Sequence, residues 1–256
     1  MNGKDTSKVI VNGQYWNNAV TIEYGKPISF EVKQGEETDE ILGVYYTKAI
    51  KYKNNNPNDD IDISNFVEFT SSTNIDVGNY YLFFESDKGA SMGVKPEAVE
   101  GEEEKLATFE FVMRVTESEL VAPVLAGTDG WDETKVGKAY ATWNPVTKDH
   151  NDLDITAGTN ISYVIKLYFE DEAEPFYTSS AITTTGYDLT SVITSATGKG
   201  YGKYTYVVEA SETGKSVNNY AAAQSSVSGE YIYKDEVDPE ISSYDIKTEG
   251  ETRYLT

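Results

Sequence analysis

Short runs of the chain alternate apolar and polar residues, and turn-forming residues break the runs at regular distances. Residues 28–33 show it most clearly: Ile28, Phe30 and Val32 share one face, Ser29, Glu31 and Lys33 the other. This is the period-two signature of a half-buried strand. Residues 8–11 and 14–16 flank Asn12-Gly13, a dipeptide that favours a type I′ hairpin because both central residues take positive φ. A β-rich run over 41–53 stops at the Asn- and Pro-rich stretch 54–60, whose residues favour turns. Residues 79–85 and 107–116 read as a closing pair of strands. The connection between them carries Glu100, Glu102, Glu103 and Glu104 and is unusually long. Near Glu117 the pattern restarts, with strands expected at 121–125, 138–145, 161–169, 187–192, 203–210 and 226–233. No useful helical apolar period is present, and no apolar run reaches the roughly 18 residues that a membrane-spanning helix needs. The pattern predicts an all-β chain.

Composition narrows the reading. The 256 residues suffice for two sandwiches of about 100 residues each. The 20 tyrosines, with many Val, Ile and Thr, suit pleated, half-buried surfaces. Asp and Glu total 43 against 21 Lys and Arg, a net charge of −22. Such a chain repels a nucleic-acid backbone, whose binding rests on cations displacing condensed counterions, so nucleic acid is excluded as a partner. A bare anionic membrane surface is disfavoured likewise. There is no cysteine. Disulfides and thiolate metal sites are therefore impossible, and each core must close by packing alone.

Asp76, Gly78, Tyr80 and Leu82 have the spacing D-x-G-x-Y-x-apolar. This resembles the tyrosine corner of immunoglobulin-type sandwiches, which implies that the Tyr80 hydroxyl ties back to the backbone and Leu82 enters the core. Residues 141–145, with Trp143, and 204–210 are similar to strands B and F of a fibronectin type III domain. That resemblance covers 120–234, is closest to modules of exported bacterial surface proteins, and places a second corner at Tyr204. Leu82 and Tyr206 stand where an antibody domain would carry its second cysteine. The expectation is two tandem immunoglobulin-like/fibronectin type III-like β-sandwiches. Residues 1–117 form the Ig-like module and 118–234 the fibronectin type III-like one. Residues 235–256 are a tail or the start of a truncated third module. Trp143 is expected to be buried against Tyr163 or Leu189.

Several short motifs carry possible chemistry. Residues 89–93 match G-x-S-x-G around Ser91, but a nucleophile elbow needs a strand-to-helix turn, an acid and a later histidine. The sole histidine, His150, falls in the other expected module, and Val94, Lys95 and Pro96 do not start a helix. Gly214-Lys215-Ser216 has the ending of a P-loop, but Glu209 occupies the place of its first glycine. Gly198, Gly200 and Gly202 read as loop glycines. Asp149, Asp152 and Asp154, and Asp59, Asp60 and Asp62, lie in oxygen-rich loops that lack the turn glycine and terminal glutamate of an EF-hand. Weak Ca²⁺ binding or none is expected there.

No catalytic, cofactor-binding or metal-binding residue is assigned, and no cofactor is expected. The chain reads as non-catalytic spacer and adhesion modules of a bacterial cell-surface or secreted protein. It is expected to be a monomer that binds a protein or glycan ligand outside the cell. The polar start of the sequence holds no signal segment. The alternative is a carbohydrate-binding accessory region of a larger glycan-degrading enzyme. Paired aromatics such as Tyr45-Tyr46 and Tyr80-Tyr81 point one ring of each pair outward, where it could stack on a sugar.

Overall fold

Strands dominate the regular structure; among the described residues the only α-helix is Thr190–Thr194, beside two short 3-10 turns. The computed structural model describes residues 7–15, 19–34, 37–39, 41–51, 53–55, 62–70, 75–86, 112–195, 197–235, 246–249 and 252–255. By Cα packing the chain falls into two compact units. One comprises Met1–Ala122, Val146–Ser162 and Ala210–Gln224; the other comprises Pro123–Pro145, Tyr163–Glu209 and Ser225–Thr256. Residues 146–162 and 210–224 thus pack with the first 122 residues.

The first unit opens with the expected hairpin. Ser7–Val11 pairs with Gln14–Tyr15, and Asn12 and Gly13 take φ of 49° and 79°, as a type I′ turn requires. Phe30–Gln34 and Glu37–Asp39 extend this into a four-stranded antiparallel sheet. The strand begins at Phe30, so Ile28 precedes it. A five-stranded sheet runs in the order Ala19–Glu23, Val112–Thr116, Gly78–Ser86, Ile41–Thr47, Val67–Glu68. Its first pair is parallel and the rest antiparallel. Phe30 meets Phe69 edge to face, ring centroids 5.3 Å apart. Ile22, Val44, Tyr80, Leu82, Met113 and Val115 are buried, each burial stabilising by about 1.5–3 kcal/mol. The Tyr80 hydroxyl donates to the Asp76 carbonyl at 2.6 Å, so the tyrosine corner is formed as the spacing implies.

A second five-stranded sheet runs Tyr177–Thr178, Asn160–Phe169, Gly202–Thr213, Ala223–Gln224, and Tyr231–Tyr233 also pairs with Gly202–Thr213. Tyr140–Thr142 pairs with Gly186–Asp188. Within the second unit Trp143 is 2% exposed and packs on Tyr163 at 5.5 Å, the expected neighbour. The Tyr204 hydroxyl donates to the Gly200 carbonyl at 2.5 Å, a second corner. Gly202, two residues earlier, has φ of 155°, and a Cβ there would lie 2.5 Å from the Phe169 ring; only glycine fits.

The 187–192 strand is corrected. Extension ends at Asp188, and Thr190–Thr194 is helical. Asp188 Oδ1 accepts the Thr190 amide at 3.0 Å, and Thr190 Oγ1 accepts the Ala139 amide at 2.9 Å. These side-chain bonds offer the backbone an alternative to the ladder. The 226–233 strand is shorter than expected, only Tyr231–Tyr233 being extended. Before it, Ser225 and Ser228 use their hydroxyls as ladder acceptors for the amides of Val208 and Tyr206, each at 2.9 Å. Ser179 does the same for Ile165 at 3.0 Å. All three hydroxyls then donate to the next residue's carbonyl. Near the C-terminus, Ile246–Glu249 pairs antiparallel with Thr252–Leu255.

Candidate functional site

The densest polar chemistry lies in the first unit, in two clusters that fasten residues 1–122 to the segments 146–162 and 210–224. In the first, Ser118 is fully buried. Its Oγ lies 2.8 Å from Asp149 Oδ2 and 3.0 Å from Glu23 Oε1, so one hydroxyl proton serves two carboxylates. Asp149, 1% exposed, also accepts the amides of Asn151 and Leu153 on Oδ1, both at 2.9 Å. Burial pushes its pKa up, but the Ser118 hydroxyl and these two amides outweigh that and hold it below the ordinary value. Glu23 Oε1 further accepts Asn151 Nδ2 at 2.8 Å and faces His150 Nε2 at 3.1 Å. Burial raises the Glu23 pKa too, and the hydrogen bonds from Lys26, Asn151 and Ser118 with the His150 charge bring it below normal.

The second cluster surrounds the tyrosine corner. Asn219, fully buried, accepts the Val77 amide on Oδ1 at 2.9 Å and donates from Nδ2 to Asp76 Oδ1 at 2.7 Å. Its own amide and that of Tyr220 donate to Glu212 Oε2, at 2.5 and 3.0 Å. Lys215 Nζ lies 3.3 Å from Glu212 Oε1 and 3.5 Å from Asp76 Oδ1. Asp76 sits below the usual carboxylate range, the Asn219 hydrogen bond being the main cause. Burial lowers Lys215, but its bond to Glu212 prevails and raises it. Tyr24 and Tyr220 meet edge to face at 5.2 Å, and both hydroxyls reach Thr156. A shallow groove of about 270 Å³ adjoins Asp76 and Tyr80, with Lys48 Nζ 5.3 Å from the centre of the Tyr80 ring.

Ser118, Asp149 and His150 are the residue types of a nucleophilic triad, but their arrangement is different. Ser118 bonds to carboxylates, whereas a triad serine needs the imidazole as its base, and its complete burial closes it to substrate. The His150 ring faces Glu23 instead, with Nε2 3.1 Å from Glu23 Oε1, and its Nδ1 lies 3.2 Å from the Glu119 amide nitrogen and 3.3 Å from the Glu119 carbonyl oxygen. The cluster therefore holds loops together. Sequence reasoning saw Asp149 as a member of an acidic loop and weighed His150 only as a remote base for Ser91; nothing local marks Ser118 or Glu23 as their partners.

The other sequence motifs are placed as follows. Ser91 and its G-x-S-x-G match, Asp59, Asp60, Trp16 and the Glu100–Glu104 run lie outside the described residues. Asp62 caps its own turn, accepting the Ser64 amide at 3.0 Å. Asp152 pairs with Lys148 at 2.7 Å, while Asp149 faces inward, so the 149–154 acids are not brought together. No group of three or more His, Asp or Glu fit for a metal occurs among the described residues. Gly214, Lys215 and Ser216 follow a strand and precede no helix. Among the tyrosines whose burial is described, Tyr201 is the one prominently exposed, at 56%; its ring lies 4.9 Å from that of Tyr233.

No protein-family model matches the chain, and no curated protein does. Solved structures that match include Clostridium thermocellum CbhA fibronectin(III)-like modules, at 15% identity over 86% of this chain and 90% of that one, TM-score 0.21. The human OSCAR ligand-binding domain matches at 15% identity over 89% and 97%, TM-score 0.25. A cytokine receptor complex matches at 10% identity over 86% and 93%, TM-score 0.30. Superpositions this loose carry no argument, so the all-β fold rests on the strand pairing described above. No described helix is long and apolar enough to cross a membrane.

Proposed function

We propose that the chain is a pair of non-catalytic β-sandwich modules, residues 1–117 and 118–234, followed by a C-terminal piece, 235–256. They act as spacer and adhesion modules of a bacterial cell-surface or secreted protein. The observation that carries this reading is the use made of the buried polar groups: Ser118, Asp149, Glu212 and Asn219 all hold loops in place. Rigidly held loops on a β scaffold are the usual vehicle for protein–protein contact. The partner is a protein or glycan outside the cell, and the chain works as a monomer.

The adjacent rings of Tyr201 and Tyr233, tilted by 37° at 4.9 Å, favour a second reading, carbohydrate binding as an accessory region of a glycan-degrading enzyme. A glycan-array screen of the full chain separates the two. Retention of one glycan class that Tyr201→Ala weakens about tenfold or more, about 1.4 kcal/mol, favours the carbohydrate reading, and retention that this substitution leaves unchanged favours adhesion to a glycan elsewhere on the chain. Retention of no glycan supports adhesion to protein. Hydrolysis of ester reporters that disappears in Ser91→Ala overturns both.

A further inference from the structure

The tyrosine corner around Tyr80 is completed from far away in the sequence. Asp76 supplies the carbonyl that the Tyr80 hydroxyl holds, and its carboxylate is held by Asn219, 143 residues later. The next amide, Val77, also ends on Asn219. Asn219 is in turn fixed because the buried carboxylate of Glu212 accepts its amide and that of Tyr220. Ser118–Glu119 adds a parallel ladder to Tyr220–Ala221, and Ser118 and Leu120 are buried. Every residue in this chain of contacts belongs to the first unit.

We propose that the 210–224 segment is a clamp on the first sandwich, so that order in the Asp76–Tyr80 corner and order in the 212–220 loop are one coupled equilibrium. The physical reason is reciprocal satisfaction. Without Asn219, the Val77 amide loses its acceptor and the Asp76 carboxylate keeps only Lys215 and water; without Asp76, the buried Asn219 amide group loses an acceptor. A buried polar group left unpaired carries its full desolvation penalty, so undocking on either side is felt on the other. Coupling between binding equilibria is symmetric, and the device operates whatever the chain binds.

Amide hydrogen exchange on the full chain tests this, because exchange reads local opening residue by residue. Asn219→Ala is expected to speed exchange at Val77 about tenfold or more, with the Ile165 amide of the second unit unchanged. Asp76→Ala, at a largely exposed side chain, is expected to speed exchange at Asn219 and Tyr220 several-fold. If Asn219→Ala unfolds the chain, Ile165 exchanges as well and Asp76→Ala decides. Acceleration confined to the mutated segment in Asp76→Ala, with Asn219 and Tyr220 as protected as in the wild type, overturns the clamp.

Discussion

Replacing Trp143 by alanine empties a position that is 2% exposed and packed at a tilt against the Tyr163 ring. A buried aromatic side chain removes about 150–250 Å² from water. At about 25 cal/mol per Å² this gives about 4–6 kcal/mol before the share that alanine keeps, in line with the 3–5 kcal/mol usual for such truncations. The indole N–H complicates the picture usefully: Nε1 is buried and has no hydrogen-bond partner. An unpaired buried donor costs about 1–3 kcal/mol. Trp143→Phe removes that donor while giving up at most about 100 Å² of burial, or about 2.5 kcal/mol. The two changes nearly cancel. Alanine is therefore expected to cost about 3–5 kcal/mol and phenylalanine less than about 1.5 kcal/mol. For a module of about 100 residues the alanine loss corresponds to a fall in Tm of about 10 °C or more. Urea titrations followed by far-UV circular dichroism measure both. A phenylalanine variant as damaged as the alanine one refutes the orphan-donor argument, and an alanine variant that melts like the wild type refutes the packing.

Tyr80→Phe and Tyr204→Phe each delete one hydroxyl-to-carbonyl bond and keep the ring; each is expected to cost about 0.5–1.5 kcal/mol in urea unfolding, and no measurable loss at both would show that the corners contribute nothing. The Tyr80 phenol, pushed up to about 12 by burial and then by the Asp76 charge, should ionise well after ordinary tyrosines in a phenolate absorbance titration. Acid should destabilise the fold: Glu23, Asp76 and Asp149 are depressed, and Asp188 is drawn down to about 2 by its bonds to Lys138 and Thr190. A depressed carboxylate stabilises fully above its unfolded pKa, about 3.9–4.3, and that contribution is lost as pH falls through the folded value. The urea midpoint should thus hold above about pH 5 and drop between about pH 4 and 2, less steeply in Asp149→Asn.

What could be read from the sequence was what repeats at short range. The Asn12-Gly13 hairpin, the Tyr80 and Tyr204 corners and the burial of Trp143 all follow from spacings within ten residues. Ala19–Glu23 escaped notice because its pairing is parallel and its partner strand lies 93 residues on, a closure with no local signal. Trp131 escaped for another reason. It sits in no named strand, yet it is buried between Tyr206 and Tyr231, centroids 4.8 and 5.1 Å away, and its N–H reaches the Gly229 carbonyl at 2.9 Å. Ser179 and Ser225 fall outside the strands expected from sequence and Ser228 inside one; only the facing strand shows that their hydroxyls replace ladder carbonyls.

The two tyrosine corners show where short-range reading ends. Both place glycine two residues before the tyrosine, with φ of 152° at Gly78 and 155° at Gly202, and both send the hydroxyl to the carbonyl four residues back. The motif encodes that bond completely. It does not encode what holds the acceptor loop. At Tyr204 the acceptor is Gly200, itself at a positive φ of 84°, so a glycine-permitted turn presents the carbonyl. At Tyr80 the acceptor is Asp76, whose side chain and following amide are both taken by Asn219. The same hydroxyl-to-carbonyl bond thus rests on a glycine turn at one corner and on a distant loop at the other. The aspartate that opens D-x-G-x-Y at residue 76, and is absent at the equivalent Gly200, is the residue that makes the difference.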